Sequence, residues 1–200
     1  MVNNSPVAGT LYHRPGSPPR GDALLPMGRL RGAHPDLHAH HAAKHTAYPE
    51  ALEQAVPPLG CTWADVVFLS PVHPRPLFDA LGRAGTPATW LEPWTIDACH
   101  LDPSRTVIRL MRHGREGHHP DPPDEHDWLP FTTATLRAVN RITVDAVDRL
   151  EALEPGDPWL PWVDVPHVLH RGPISRGVTS IADEQPSGSA PACRGRVGVQ

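Results

Sequence analysis

Leu11-Tyr12-His13-Arg14-Pro15, with Gly21-Asp22-Ala23-Leu24-Leu25-Pro26 after it, is the stretch on which the fold turns. Thr10–His13 reads as a short apolar strand ending in an imidazole. The Gly-Asp turn and Leu-Leu-Pro corner that follow hold such a strand end at the lip of a cleft. The run Asp65-Val66-Val67-Phe68-Leu69-Ser70-Pro71 is continuously apolar between turn formers, the pattern of a buried strand. It leads into a short helix over Pro76–Arg83, with proline at a favoured first-turn position.

Working outward, Thr89–Glu92, Trp94–Asp97 and Thr106–Met111 alternate as strands, and Val163–Leu169 with Gly172-Pro173-Ile174 supplies the last ones. Asp36–Gln54 is expected to be helical, capped by Asp36 and divided at Pro49. Thr133–Leu153 has the clearest amphipathic pattern, with Leu136, Val139, Thr143, Ala146, Leu150 and Leu153 on one face. Arg14–Arg31 and the polar His113–Asp127 read as loops. Strands and helices mix without the spacing of parallel βαβ units, so the class is α+β with short antiparallel strands. Residues 1–9 form a flexible arm, 10–182 a single domain, and 183–200 a tail of Pro, Ser, Gly and Arg expected to be disordered.

Composition narrows the function classes. The chain has 200 residues, 26 prolines and 16 glycines, which favours loops and short strands over a helix bundle. Its net charge is −4, with no basic block, so nucleic-acid binding has no electrostatic support. No apolar run reaches the roughly 18–20 residues of a membrane span. Cys61, Cys99 and Cys193 are widely spaced without a CxxC pair, which fits neither a disulfide framework nor a thiolate zinc site. The N-terminus lacks a signal-peptide pattern. The expectation is a reduced, cytoplasmic protein with no membrane partner.

His13 with its Gly-Asp turn, the Val67-Phe68-Leu69-Ser70 strand with its helix, and Leu91-Glu92-Pro93 together resemble the small NAD-using ADP-ribosyltransferases of the rifampin-modifying type. That resemblance implies an ADP-ribosyltransferase-like split antiparallel sheet with flanking helices. It implies NAD as the bound nucleotide and ADP-ribosyl transfer to an unknown acceptor. His13 would contact the nicotinamide ribose, Tyr12, Phe68 and Ser70 would line the nucleotide site, and the catalytic residues would be His13 and Glu92, with Asp97 and Asp102 as further candidate acids. Val165–Leu169 with Gly172-Pro173-Ile174 is similar to the terminal strand pair of uncharacterised proteins of that fold. The chain departs from the family where Arg14-Pro15 replaces Gly-Thr and Phe68 replaces a tyrosine. Those departures leave open a catalytically degenerate ligand-binding or interaction module of the same fold.

Two histidine clusters stand apart from that pattern. His34, His38, His41 and His45 lie within roughly 60° of one another at about 100° per helical residue, with Tyr48 beside them. Paired imidazoles at this spacing suit a metal, and a metal-dependent hydrolase is the third reading. No HExxH motif accompanies them and Pro35 takes His34 out of the helix, so a metal is not expected. The His113, His118, His119 and Asp121–Asp127 cluster lacks a scaffold to fix ligand geometry. The tryptophans of the second half are core or cleft wall, Trp159-Leu160-Pro161-Trp162 being the best wall candidate, and His167 and His170 are potential ligand contacts. Ser70 has no GxSxG setting, and there is no Walker A or GxGxxG segment.

Overall fold

A computed structural model of the protein describes residues 6–14, 20–46, 49–86, 88–112, 123–154, 157, 161–175, 177 and 179–181. In chain order the elements are β1 (Thr10–His13), β2 (Ala23–Leu24), α1 (Met27–Ala33), α2 (Pro35–Ala42), β3 (Ala55–Val56), β4 (Cys61–Thr62), β5 (Val66–Leu69), α3 (Arg75–Arg83), β6 (Trp94–Asp97), β7 (Thr106–Arg109), β8 (Trp128–Pro130), α4 (Thr133–Val139), α5 (Val144–Glu151), β9 (His167–Arg171), β10 (Ile174–Ser175) and β11 (Thr179–Ile181). Short 3₁₀ turns link several of them. The architecture is α+β, as the mixed pattern predicts, and every strand pairing among the described residues is antiparallel.

Two sheets carry the fold. One has the order β1-β6-β11 and the other β5-β9-β7-β8, with the pairs β2/β10 and β3/β4 at the margins. β1 and β5 meet at a single bridge, where Tyr12 and Ser70 exchange two backbone hydrogen bonds of 2.8 Å.

Alternation along the strands sorts side chains to opposite faces. Leu11, Val67, Leu69, Ile96, Ile108 and Val168 enter one core, which α4 covers with Leu136. Val66, Val107 and Leu169 enter a second core on the reverse face, closed by Val56 and Leu59 with Trp63, Phe68 and Trp128 packed against it. A third core forms between α3 and α5, where Leu77, Phe78 and Leu81 meet Ala146 and Leu150.

This division breaks the helix expected over Thr133–Leu153. Leu136 belongs to the first core and Leu150 to the third, so one straight helix cannot serve both. α4 ends at Val139, and Thr143 starts α5 afresh by accepting a hydrogen bond from the Ala146 N–H at 3.2 Å.

Other boundaries moved for local reasons. Thr89–Glu92 is not a strand: β1 is exhausted at His13↔Trp94, and beyond it the Arg14 guanidinium donates to the Thr89 carbonyl at 2.8 Å. α1 occupies part of the expected Arg14–Arg31 loop. It fits there because Gly28 lets the helix approach the Ala64 carbonyl, which a Cβ would meet at 3.1 Å. α2 begins at Pro35 and stops at Ala42, well short of Gln54. Strand β7 ends at Arg109, and β9 starts at His167 after Asp164 takes a positive φ of 63°. Of the expected arm, Val7 is buried in the first core and Ala8 N–H donates to the Thr133 hydroxyl. In the polar His113–Asp127 segment, Glu125–Asp127 forms a turn with Asp127 buried, and residues 113–122 lie outside the described residues, as does the tail 183–200. Cys99 is disulfide-bonded and Cys61 is a free, half-buried thiol, where three reduced cysteines were expected. Among the described residues no helix is long and apolar enough to cross a membrane.

Candidate functional site at the parting of the sheets

A wedge opens where β1 and its lead-in meet the turn after β5 and the end of α4. Its floor and sides include Gly9, Tyr12, Pro71, His73, Arg137 and Asn140, around a depression of about 270 Å³. The Tyr12 and His73 rings meet edge to face, with centroids 4.9 Å apart. Burial raises the Tyr12 phenol, which therefore stays protonated as a hydrogen-bond donor or acceptor at neutral pH.

His73 is fixed by its own turn. Its Nδ1 accepts from the Arg75 backbone N–H at 3.2 Å, so in the neutral ring the proton sits on Nε2. Burial lowers its pKa; the Glu92 carboxylate opposes that shift and Arg75 adds to it. Glu92 is therefore in the electrostatic neighbourhood of the wedge. Its carboxylate accepts a 2.7 Å hydrogen bond from the Trp90 indole, which holds an otherwise exposed side chain in place. Trp90 in turn stacks toward His73 at 6.2 Å and Phe78 at 5.4 Å, with the Arg75 guanidinium 5.0 Å from its ring. The Arg14 guanidinium lies 4.7 Å from the Phe78 ring.

The residues expected to share one cleft are divided by the strand alternation. Tyr12 lines the wedge, and Glu92 is linked to it through His73. His13 has the opposite parity and packs toward Trp94, with ring centroids 5.9 Å apart. Its Nδ1–H donates to the Phe68 carbonyl at 3.0 Å, leaving Nε2 as the acceptor of a neutral imidazole. Burial lowers the His13 pKa, and that carbonyl partly offsets the shift. The Phe68 ring stands on the reverse face, against Trp63 at 5.0 Å and His167 at 6.0 Å. His13 and Phe68 therefore meet through the Phe68 backbone, while their rings point apart.

Ser70 is buried, and its hydroxyl both donates to the Val72 carbonyl and accepts from the Val72 N–H at 3.0 Å. It closes its own turn. Asp97 and Asp102 likewise cap the turns that follow them, accepting from Cys99 N–H and Ser104 N–H. His167 and His170 are both buried, with Nδ1 bonded to the Val165 carbonyl and to the Thr106 hydroxyl respectively.

Sequence reading missed His73 and Arg137. The available signal for His73 was its setting between Pro71 and Pro74 directly after a strand, which pins an imidazole at a strand end. Arg137 had no such signal.

The histidine stripe spans more than one element. His34 lies at the junction of α1 and α2, His38, His40 and His41 lie on α2, and His45 falls in the 3₁₀ turn beyond it. His40 and His41 pack ring to ring at 5.5 Å. Tyr48, Trp159 and Leu160 lie outside the described residues. Among the described residues no group of three or more His, Cys, Asp or Glu side chains could hold a metal ion. In comparisons with known proteins, the chain matches no family model, no curated protein and no solved structure.

Proposed function

We propose that the chain is an NAD-binding module of ADP-ribosyltransferase-like architecture, with the wedge between β1, the turn after β5 and α4 receiving the nicotinamide riboside end. The observation that carries this reading is the Tyr12–His73 pair beside Arg137 in a depression of about 270 Å³. An aromatic wall, a neutral imidazole and a cation are the groups that a flat ring, a ribose hydroxyl and a phosphate require. Pockets for whole drug-sized ligands run from about 300 to 1,000 Å³, so this one holds part of a dinucleotide rather than all of it. His13, turned toward Trp94 and absent from the lining of the wedge, leaves the ribose contact to His73 in this reading.

The division of the motif residues favours binding over turnover. Ser70 spends its hydroxyl on its own turn, and Phe68 packs against Trp63 and His167 on the reverse face. One observation favours the second reading, ADP-ribosyl transfer to an unknown acceptor: the Glu92 carboxylate is held by Trp90 and acts electrostatically on His73. A carboxylate there would take the proton of an incoming acceptor as the bond between nicotinamide and ribose breaks.

Titration calorimetry of the full chain with NAD tests the shared premise. Binding weakened about tenfold or more by Tyr12→Ala and by His73→Ala supports it, the loss expected when a contact to a charged or polar ligand group is removed. No heat with NAD, nicotinamide riboside or ADP-ribose refutes it. Slow nicotinamide release that Glu92→Gln abolishes would establish the transferase; binding without release would establish the module.

A further inference from the structure

Arg109, at the end of β7, is 1 % exposed, and among the described residues no carboxylate is bonded to it. Its guanidinium carbon lies 4.9 Å from the Trp63 ring and 5.6 Å from the Trp128 ring, a cation between two indoles. Its Nη1 donates to the Gln54 side-chain oxygen at 3.3 Å. Its Nε is buried without a hydrogen-bond partner, and so is the Nε1 of Trp63, the neighbouring indole. Asp127, the nearest acidic influence, forms an ion pair with Arg112 at 3.0 Å and accepts from the Asp124 N–H. His167, paired across from Arg109 on β9, is held neutral by burial.

A buried cation is expensive unless each of its donors finds an acceptor. Packing alone does not require one, since a methionine would fill the space between two indoles without that cost. Two buried N–H groups, on side chains whose guanidinium and indole lie 4.9 Å apart, are without an acceptor among the described residues. We propose that Arg109, Trp63 and Gln54 form a recognition site for a compact oxyanion, the carboxylate or phosphate group of a small ligand. The indoles set the plane of the guanidinium, Arg109 Nε and Trp63 Nε1 donate to the anion, and Gln54 anchors the far side of the fork. Gln54, Trp63 and Trp128 are the half-exposed members, so the anion enters from their side. This site is independent of the NAD reading.

Inorganic phosphate and acetate, each titrated into the full chain against chloride at matched ionic strength, provide the test. The readouts are the Arg109 Nε–H resonance and tryptophan fluorescence, since two indoles border the guanidinium. The expected result is a saturable shift and fluorescence change with one or both oxyanions and none with chloride. Arg109→Met should abolish both responses, and Trp63→Phe should weaken the apparent affinity by about tenfold, the worth of one hydrogen bond to a charged group. Should Arg109→Met fail to fold, the resonance in the unsubstituted chain and the Trp63→Phe series decide the matter. Equal responses to chloride, a response unchanged in Trp63→Phe, or no saturable response to either oxyanion would overturn the proposal.

Discussion

Acidification should destabilise this fold well above the pH at which carboxylates protonate, and His167 is one of the buried histidines responsible. The residue is 7 % exposed, its Nδ1 is bonded to the Val165 carbonyl at 2.8 Å, and Arg109 lies opposite it on the adjacent strand. Burial drives its pKa from 6.5 down to about 4; the carbonyl resists the shift and Arg109 reinforces it. The folded value lies below the unfolded one, so the fold holds the neutral ring. The resulting stabilisation is complete above about pH 6.5 and is lost as pH falls toward 4. A difference of 2.5 units at 1.36 kcal/mol each amounts to about 3 kcal/mol. Single domains are stable by only about 5–15 kcal/mol, so this is a large share. His170, also lowered to about 4 by burial, and His13, lowered by burial, act in the same direction. Urea unfolding between pH 8 and 4.5 should show stability falling below pH 6.5, and His167→Gln should reduce that slope by up to one proton. A stability unchanged from pH 7 to 4.5, or a His167 ring that titrates above pH 6 by NMR, would refute the reasoning.

Two further outcomes follow from packing and capping. Leu11 is fully buried where the sheets converge, so Leu11→Ala should cost about 2–5 kcal/mol in chemical denaturation. Thr143→Ala removes the side-chain acceptor for the Ala146 N–H and should cost about 1 kcal/mol, whereas Thr143→Asp, which keeps an acceptor there, should stay close to the parent.

The strands that build the wedge were legible because their burial is local and alternating. β1, β5 and β6 fall within the runs that apolar patterning marks out, and α3 differs by one residue from the helix expected over Pro76–Arg83. The break between α4 and α5 was hidden because the apolar spacing runs on through Thr143. Only the placement of Leu136 and Leu150 in separate cores reveals it. α1 was obscured by Gly28 and Gly32, residues unfavourable in helices, the first of which is explained by a chain approach that sequence does not show. At the site, Tyr12 and Glu92 were expected only from the family resemblance, while the parity that sets the His13 and Phe68 side chains apart is fixed by pairing between distant strands. Arg109 read as an ordinary strand residue. Its burial is created by Trp63 and Trp128, which reach it from separate parts of the chain.

The proposed seating of the nicotinamide riboside end of NAD in the wedge is open to direct measurement. Saturation-transfer NMR on NAD mixed with the full chain reads this directly, because ligand protons in contact with the protein gain the most saturation. The account predicts the strongest transfer to the nicotinamide and adjoining ribose protons, weaker transfer to adenine, and loss of the signal in Tyr12→Ala. Uniformly absent transfer, or a pattern strongest on adenine and unaffected by Tyr12→Ala, would contradict it.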